Sequence, residues 1–172
     1  MMSAAEQGAD ATAGRWLVMP RTLSFVRNAD DVLLMKRGPH RRVFPNRFNG
    51  LGGHVERGED VLAGARREIF EESGLRIAEL RLCAVANVDA GSPTGILLFV
   101  FTGFSDTRDV KESEEGTLHW IPIARVGELD LVEDLPLLLP RVLALGPQDA
   151  PLFLHTGYDS ADRLVMRFGE AL

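Results

Sequence analysis

The segment that most constrains the fold of this chain is residues 53–75, which read GHVERGEDVLAGARREIFEESGL. Asp60 belongs to the residue types that cap helix N-termini, and Gly74 suits the left-handed conformation in which many helices end. Three apolar residues between them have the i, i+3, i+7 spacing of one helical face: Leu62, Ala65 and Ile69. The segment therefore predicts a loop followed by an amphipathic helix from Asp60 to about Ser73.

The predicted helix carries three glutamates on one face. Glu68, Glu71 and Glu72 are spaced i, i+3, i+4, and like charges at this spacing destabilise an exposed helix by about a few tenths of a kcal/mol per pair. A hard divalent cation such as Mg²⁺ or Mn²⁺ would relieve the repulsion, because it takes carboxylate and carbonyl oxygens and also bridges phosphates. The alternative is a solvated, salt-bridged face formed with Arg66 and Arg67.

The spacing across the whole segment favours the metal-binding alternative. Five residues separate Gly53 from Glu59, and seven separate Glu59 from the run Arg67-Glu68-Ile69. Glu71-Glu72 and then Gly74-Leu75 follow, each after one intervening residue. This pattern resembles the Nudix hydrolase box with every defining position filled. The resemblance implies a Nudix fold and the hydrolysis of a nucleoside diphosphate linked to another group.

The resemblance also implies roles for individual residues of the box. Three glutamates would be metal ligands together with the carbonyl of Gly53: Glu68, Glu71 and Glu72. Arg67 would orient these carboxylates by ion pairing, and a glutamate, Glu71 or Glu72 among them, would accept a proton from the attacking water. The implied cofactor is Mg²⁺ or Mn²⁺.

A fourth acidic group often comes from a loop outside the box in this family. The run KESEEG at residues 111–116 contains three candidates, Glu112, Glu114 and Glu115, just before a predicted strand. We select Glu115 as the catalytic candidate. A run of this composition is also typical of a solvated loop, so that alternative stays open.

Segments on both sides of the box resemble the MutT-type branch of the family. VLLMKRG lies before the box, RFNGLGGHVE leads into it, and HWIPI and EDLPLLLP follow it further along the chain. The branch hydrolyses oxidised purine nucleoside triphosphates such as 8-oxo-dGTP to the monophosphate and pyrophosphate. By this resemblance Asn49 would contact the base, and Glu133 and Asp134 would read the purine edge, since amide and carboxyl groups supply the donors and acceptors needed.

The chain departs from that branch at one position. Its relatives commonly place a tryptophan just before the acidic pair, where this chain has Leu131-Val132. Stacking on the base would then come from another ring, and three phenylalanines are the candidates: Phe25, Phe44 and Phe48.

Each candidate substrate contact also fits a role in the fold alone. Asn49 before Gly50 is a common turn pair, and Glu133-Asp134 also suits the cap of the following leucine-rich helix. The segment 36–47 holds five basic residues and no acid: Lys36, Arg37, Arg41, Arg42 and Arg47. Either a phosphate-facing loop or a solvated loop fits this composition. Lys36 and Arg37, at a predicted strand end, are expected to be more firmly oriented than the loop arginines.

The rest of the chain is predicted to be mainly β. Strands are predicted at residues 22–26, 32–35, 80–88, 95–104 and 117–121, with a hairpin turn at 28–31 and a closing hairpin within 151–168. A second helix is predicted over residues 134–145 if Pro136 lies in its first turn and Pro140 kinks it. The expected fold class is α/β, with a mixed β-sheet sandwiched between helices.

The length and charge of the chain limit its number of domains and the kinds of partner that we expect. The 172 residues predict one domain over 15–172, preceded by a flexible polar arm over 1–14. The formal charge of −6 disfavours nucleic acid polymers and anionic membranes as partners. A cytoplasmic location follows from the single cysteine and from the lack of a signal-like or membrane-spanning run in the sequence. The expected partner is a small nucleotide, bound by a monomer or a homodimer.

The sequence therefore predicts a metal-dependent nucleotide pyrophosphohydrolase that prefers oxidised purine nucleoside triphosphates. Hydrolysis of ADP-ribose, a dinucleoside polyphosphate or another nucleoside diphosphate derivative is the alternative within the same family. A nucleotide-sensing binding module built on the same fold is the non-enzyme alternative.

Overall fold

The computed structural model describes Gly8 and residues 13–111 and 113–169. Its strands are β1 (Leu17–Asn28), β2 (Asp31–Arg37), β3 (Phe48–Asn49), β4 (Leu80–Val88), β5 (Thr94–Phe104), β6 (Gly116–Pro122), β7 (Leu152–Tyr158) and β8 (Leu164–Phe168). Helix α1 spans Val61–Ser73, helix α2 spans Leu135–Ala144, and a short 3₁₀ helix spans Ile123–Glu128. Apart from Gly8, Ala13 and Gly14, the predicted N-terminal arm lies outside the described residues, as does Glu112.

The strands form one mixed sheet in the order β3-β2-β1-β5-β4-β7-β8, with β6 paired along β2. The pairs β1–β5 and β4–β7 are parallel, and the other strand pairs are antiparallel. The predicted hairpin between β1 and β2 is confirmed, with Asn28 paired to Asp31 across the turn. The closing hairpin is also confirmed, as β7 and β8, with Tyr158 paired to Leu164 at the turn.

Helix α1 has the ends that the sequence predicts. The Asp60 carboxylate accepts hydrogen bonds from the backbone N–H groups of Leu62 and Ala63, at 2.8 and 2.9 Å. Gly74 ends the helix with φ +75°, in the left-handed region that glycine adopts without strain. Both caps are local interactions, which explains why the sequence pattern locates this helix so well.

The apolar core lies on both faces of the sheet because side chains alternate along each strand. Leu23, Phe25 and Leu34 point to the face covered by α2, where they pack with its buried leucines. Val26 and Leu33, which lie between such positions, point to the opposite face and pack with Ile69 of α1. The two helices thus cover opposite faces, and the predicted sandwich of a mixed sheet between helices is confirmed.

Helix α2 forms despite its two prolines. Pro136 lies in the first turn, where its missing N–H costs no intrahelical hydrogen bond, and Pro140 lies inside the helix. Four residues of α2 are buried against the sheet: Leu135, Leu138, Leu139 and Val142. Over the described ranges of the chain, no helix has both the length and the apolar character required to cross a membrane.

Candidate active site

The loop before α1 is fastened to β1 by backbone hydrogen bonds. Thr22 N–H donates to the Gly53 carbonyl at 2.9 Å, and Ser24 and Leu51 exchange two bonds at 2.6 and 3.0 Å. Gly52 adopts φ +149°, and a Cβ there would overlap the Thr22 carbonyl, so only glycine fits. The Gly53 carbonyl keeps a second lone pair, which is available to a cation.

Gly53 also makes room for a carboxylate of α1. A Cβ at this position would lie 2.5 Å from Glu68 Oε1, closer than any van der Waals contact allows. The glycine and the glutamate that the sequence assigns to one metal site are therefore in contact in the folded chain.

We expect Gly53→Ala to lower kcat/KM by about 10- to 100-fold, because the methyl group would displace Glu68 by a fraction of an ångström to an ångström. Gly127→Ala is the matched control, since a Cβ at Gly127 would meet no atom within 4 Å. Steady-state kinetics and thermal unfolding of both variants test this. Equal activity in the two variants would show that the close contact has no bearing on the site.

Arg67 is the hub of the ion pairs on α1. Its guanidinium contacts Glu59 at 2.7 Å, Glu68 at 2.9 Å and Glu71 at 3.1 Å, and it also donates to the His54 carbonyl at 2.9 Å. Hydrogen bonds to Glu59 make the largest contribution to raising the pKa of Arg67 and hold the pKa of Glu59 below its usual range. Arg67 thus fixes the direction of two of the three candidate metal ligands.

Glu72 faces away from Arg67 and into the loop. Its side chain is 6% exposed, and its Oε2 accepts a hydrogen bond from Gly52 N–H at 2.8 Å. The pKa of Glu72 is raised to about 8, mainly by burial and also by the charges of Glu115 and Glu68, against the opposing effects of Gly52 N–H and Arg37. The pKa of Glu68 is also raised, first by burial and then, more weakly, by Glu71 and Glu115.

The carboxylates of this cluster repel one another, and a bound divalent cation would relieve the repulsion. The donors are all oxygens, as hard cations such as Mg²⁺ and Mn²⁺ prefer, and a bound cation would favour the ionised form of each glutamate. Within the described ranges no three acidic, histidine or cysteine side chains already converge as a closed metal site. A cation would therefore have to draw Glu68, Glu71 and Glu72 together, with Arg67 releasing part of its hold.

Glu115 approaches the same cluster from outside the box. It contributes to the raised pKa values of Glu68 and Glu72, which means that its charge lies near both. Its carboxylate pairs with Arg41 at 3.0 Å, and its carbonyl accepts a hydrogen bond from Gly38 N–H at 2.9 Å. This ion pair restrains Arg41, which was expected to be less oriented than Lys36 and Arg37 at the strand end.

The other two basic candidates lie at the end of β2. Arg37 donates through Nε to the Val43 carbonyl at 2.9 Å, and its charge acts on Glu72. The Lys36 ammonium lies 5.9 Å from the centroid of the Phe48 ring. Arg37 is thus near the carboxylates, whereas Lys36 is near the candidate base contacts.

The candidate base contacts come together although they are far apart in sequence. Phe48 of β3 donates its N–H to the Asp130 carbonyl at 2.8 Å and accepts from Val132 N–H at 3.0 Å. Residues 130–132 therefore run beside β3, so Glu133 and Asp134 follow directly after a segment that pairs with the strand holding Asn49. The Asn49 side-chain oxygen accepts from Gly50 N–H at 2.9 Å, the turn contact expected of this pair, while the amide still carries two N–H donors and a second lone pair.

Glu133 and Asp134 have different surroundings. Asp134 occupies the N-cap position of α2, but its side chain makes no capping hydrogen bond, so the alternative that it serves as a cap is not supported. Burial raises the pKa of Asp134, and the neighbouring Glu133 adds to the shift. Glu133 is exposed and accepts a hydrogen bond from the Tyr158 hydroxyl.

The three phenylalanines considered for stacking are not equivalent. Phe25 is 0% exposed in the core beneath α2, so its prediction as a stacking ring is wrong. The alternation along β1 turns it inward, which the short apolar run did not reveal. Phe44 and Phe48 are partly buried at the edge of the core, and Phe48 meets the His119 ring edge-on at 5.5 Å between centroids.

Sequence reasoning missed two residues, Arg21 and Tyr158, on the face of the sheet that α2 covers. Arg21 of β1 is opposite Leu98 in the sheet, on the α2 side, and among the described residues its buried Nε has no hydrogen-bond partner. Burial and the nearby Arg37 lower the pKa of Arg21. A charged residue at a core-facing position was the available signal. Tyr158 of β7 gave no such signal, because its neighbours are distant in sequence.

Comparison with known proteins places this arrangement in a family. A family model for the NUDIX domain matches residues 18–142. The mouse oxidized purine nucleoside triphosphate hydrolase is 34% identical over 126 residues, which cover 70% of this chain and 79% of that protein. The zebrafish protein of the same description is 30% identical over 131 residues, covering 73% and 82%.

A solved structure agrees with these sequence relatives. A MutT protein from Bacillus halodurans superposes with a TM-score of 0.73 at 25% identity, over 87% of this chain and 97% of that one. The similarity therefore extends over the sheet and both helices and is not restricted to the segment around α1.

Proposed function

This chain belongs to the Nudix family, and from that membership we propose that it hydrolyses purine nucleoside triphosphates to the monophosphate and pyrophosphate, with oxidised purines such as 8-oxo-dGTP preferred. The mouse and zebrafish relatives are described as hydrolases of oxidized purine nucleoside triphosphates. We further propose Mg²⁺ or Mn²⁺ as the cofactor.

One observation carries the proposal: the candidate base contacts and the carboxylate cluster meet on a single short loop. The strand that holds Asn49 is hydrogen-bonded through Phe48 to residues 130–132, just before Glu133, and Gly52, three residues after Asn49, donates to Glu72. Three residues span at most about 10 Å, a distance that the base, sugar and phosphates of one nucleotide can bridge. A nucleotide could therefore place its base at Asn49 and its phosphates at the glutamates.

The chain's own groups can perform the hydrolysis in the following way. When bound, the divalent cation would neutralise the bridging phosphates and lower the pKa of a coordinated water. Arg67 holds Glu68 and Glu71 in place, and a glutamate of the cluster, Glu72 or Glu115 among the candidates, accepts the proton of the attacking water. The water oxygen forms a bond to phosphorus while the bond from phosphorus to the bridging oxygen breaks. Arg37, near Glu72, is positioned to stabilise phosphate charge.

A release assay tests the proposal. The purified protein with Mg²⁺ would be given 8-oxo-dGTP, dGTP, the other nucleoside triphosphates, ADP-ribose and diadenosine polyphosphates, and pyrophosphate would be separated from monophosphate products. We expect the highest kcat/KM for 8-oxo-dGTP with release of pyrophosphate. A higher value for ADP-ribose or a dinucleotide would reject the substrate assignment and leave the family chemistry. Binding without turnover of any substrate would favour the nucleotide-sensing alternative.

Asn49→Ala tests whether the base is read at this site. We expect kcat/KM for 8-oxo-dGTP to fall by about 10-fold or more, since a ligand hydrogen bond is lost, while ADP-ribose hydrolysis changes less. Measuring both substrates on the same variant provides the control for general damage. Losses by the same factor on both substrates would mean that Asn49 does not read the base.

A further inference from the structure

Tyr158 lies on the face of the sheet that α2 covers. Thr156 pairs with Val88 across β7 and β4, and alternation along β7 puts Leu154, Thr156 and Tyr158 on the same face as α2. The residue lies in the closing hairpin, beyond residues 18–142 that the family model matches. The hairpin therefore adds a side chain that contacts Glu133 of the family domain.

The Tyr158 hydroxyl donates a hydrogen bond to Glu133 Oε1, joining residues 25 positions apart. This bond contributes most to raising the pKa of Tyr158 to about 12, and burial and the charges of Glu133, Asp134 and Asp162 add to the shift. The phenol therefore stays protonated and acts as a donor over the whole physiological range. Its donation restricts the rotation of the Glu133 carboxylate.

The backbone fixes the other end of the same contact. Val132 N–H donates to the Phe48 carbonyl at 3.0 Å, which ties the residue before Glu133 to the residue before Asn49. The Glu133 side chain itself is exposed, so without Tyr158 it would sample several rotamers in water. Tyr158 supplies the restraint that the backbone does not.

We propose that Tyr158 is a positioning residue that holds Glu133 as a fixed hydrogen-bond acceptor for the edge of an oxidised purine. The inference rests on the proposed function and goes one step further, because it names the residue that sets the choice between oxidised and normal purines.

The chemistry of the two bases makes a fixed acceptor selective. Guanine presents N7 as an acceptor, whereas 8-oxoguanine carries a hydrogen on N7 and is a donor there. An ionised carboxylate held against this edge accepts from the N7–H of the oxidised base and repels the N7 lone pair of guanine. A mobile carboxylate could turn away from guanine, so discrimination depends on the restraint and not only on the charge.

Tyr158→Phe is the primary test, because it removes the hydroxyl and keeps the ring. We expect the ratio of kcat/KM for 8-oxo-dGTP to that for dGTP to fall by about 10-fold, mainly through a higher KM for 8-oxo-dGTP, with kcat within about twofold. Phe153→Leu is the matched control, since Phe153 lies in the same strand on the opposite, exposed face. An unchanged ratio in Tyr158→Phe would overturn the inference.

Glu133→Ala provides a second variant, at an exposed position where folding is not at risk, and it removes the acceptor altogether. Combined with Tyr158→Phe, it should lower the ratio little further than Glu133→Ala alone, because the hydroxyl acts only through that carboxylate. Additive losses from the two substitutions would overturn the inference, since they would mean that Tyr158 acts independently of Glu133.

A spectroscopic readout is independent of turnover. Tyr158 is the one tyrosine of the chain, so protein labelled at tyrosine Cζ gives a single NMR resonance. We expect Glu133→Ala to shift this resonance near neutral pH, and the monophosphate product 8-oxo-dGMP to shift it in the wild type. No shift with Glu133→Ala would show that the hydrogen bond is not formed in solution.

The outcomes separate the inference from the proposed function. A wild-type enzyme without preference for 8-oxo-dGTP would reject the proposed substrate and this inference together. A wild-type enzyme with that preference, which Tyr158→Phe retains, would reject the inference alone.

Discussion

Glu72→Gln is expected to lower kcat by about 1,000-fold and at the same time to stabilise the metal-free protein above neutral pH. The loss of activity follows if Glu72 binds a cation or accepts a proton, because the neutral amide does neither well. The gain in stability follows from the surroundings of the side chain. A charged group that is 6% exposed is costly to bury, and glutamine removes that cost while its carbonyl can still accept from Gly52 N–H.

The raised pKa of Glu72 also makes the free energy of unfolding of the metal-free protein depend on pH. Its pKa is raised from an ordinary value of 4.5 to about 8 in the folded state, so the folded chain binds the proton more tightly than the unfolded chain. The stabilisation from the bound proton is fully present below pH 4.5 and is lost as pH rises toward and through about 8. The loss is on the order of a few kcal/mol.

Thermal unfolding in EDTA between pH 5 and pH 8.5 tests both statements. Wild type should lose melting temperature across this range more steeply than Glu72→Gln, and Mg²⁺ or Mn²⁺ should restore it at the alkaline end for wild type only. Glu114→Gln is the control, because Glu114 is an exposed glutamate of the nearby acidic loop. Parallel pH profiles for wild type and Glu72→Gln would contradict the burial argument, and an active Glu72→Gln enzyme would contradict its assignment to the site.

The sequence predicts those parts of this protein that depend on local interactions. Helix α1 could be located because its caps at Asp60 and Gly74 are formed within the segment itself. The strands could be recognised from β-favouring runs between turn residues, and β4 has the bounds 80–88 that were predicted. The spacing of the box was specific enough to indicate the family.

The remaining features depend on contacts between distant parts of the chain. The ion pair of Arg41 with Glu115 and the hydrogen bond of Tyr158 to Glu133 join residues on separate loops and strands. Phe25 was misjudged for a related reason, since which face of β1 is buried is decided by α2, more than 100 positions later. Pairing between strands, and not local preference, decides which side chains meet at the site.

Arg67→Ala is expected to lower kcat/KM by about 100-fold or more and also to destabilise the fold. Its guanidinium, 23% exposed, is the common partner of Glu59, Glu68 and Glu71 and also holds the His54 carbonyl. Removing the guanidinium leaves carboxylates that repel one another with no compensating charge. We expect this to lower the free energy of unfolding by about 1 to 2 kcal/mol, which is less than for a fully buried network because water reaches the site. Misplacing the glutamates by even about 1 Å accounts for the kinetic loss.

Two further variants decide whether the Arg67 effect comes from its geometry or from its charge alone. Arg67→Lys keeps the charge but loses the planar fork that contacts three carboxylates, so we expect it to recover part of the stability and little of the activity. Arg125→Ala breaks the exposed pair with Glu128 and should leave both the melting temperature and kcat/KM unchanged. Full activity in Arg67→Lys would mean that the site needs only a positive charge there. Chemical denaturation with and without Mg²⁺ provides a separate check, since a cation that takes over the glutamates should narrow the stability gap between Arg67→Ala and wild type.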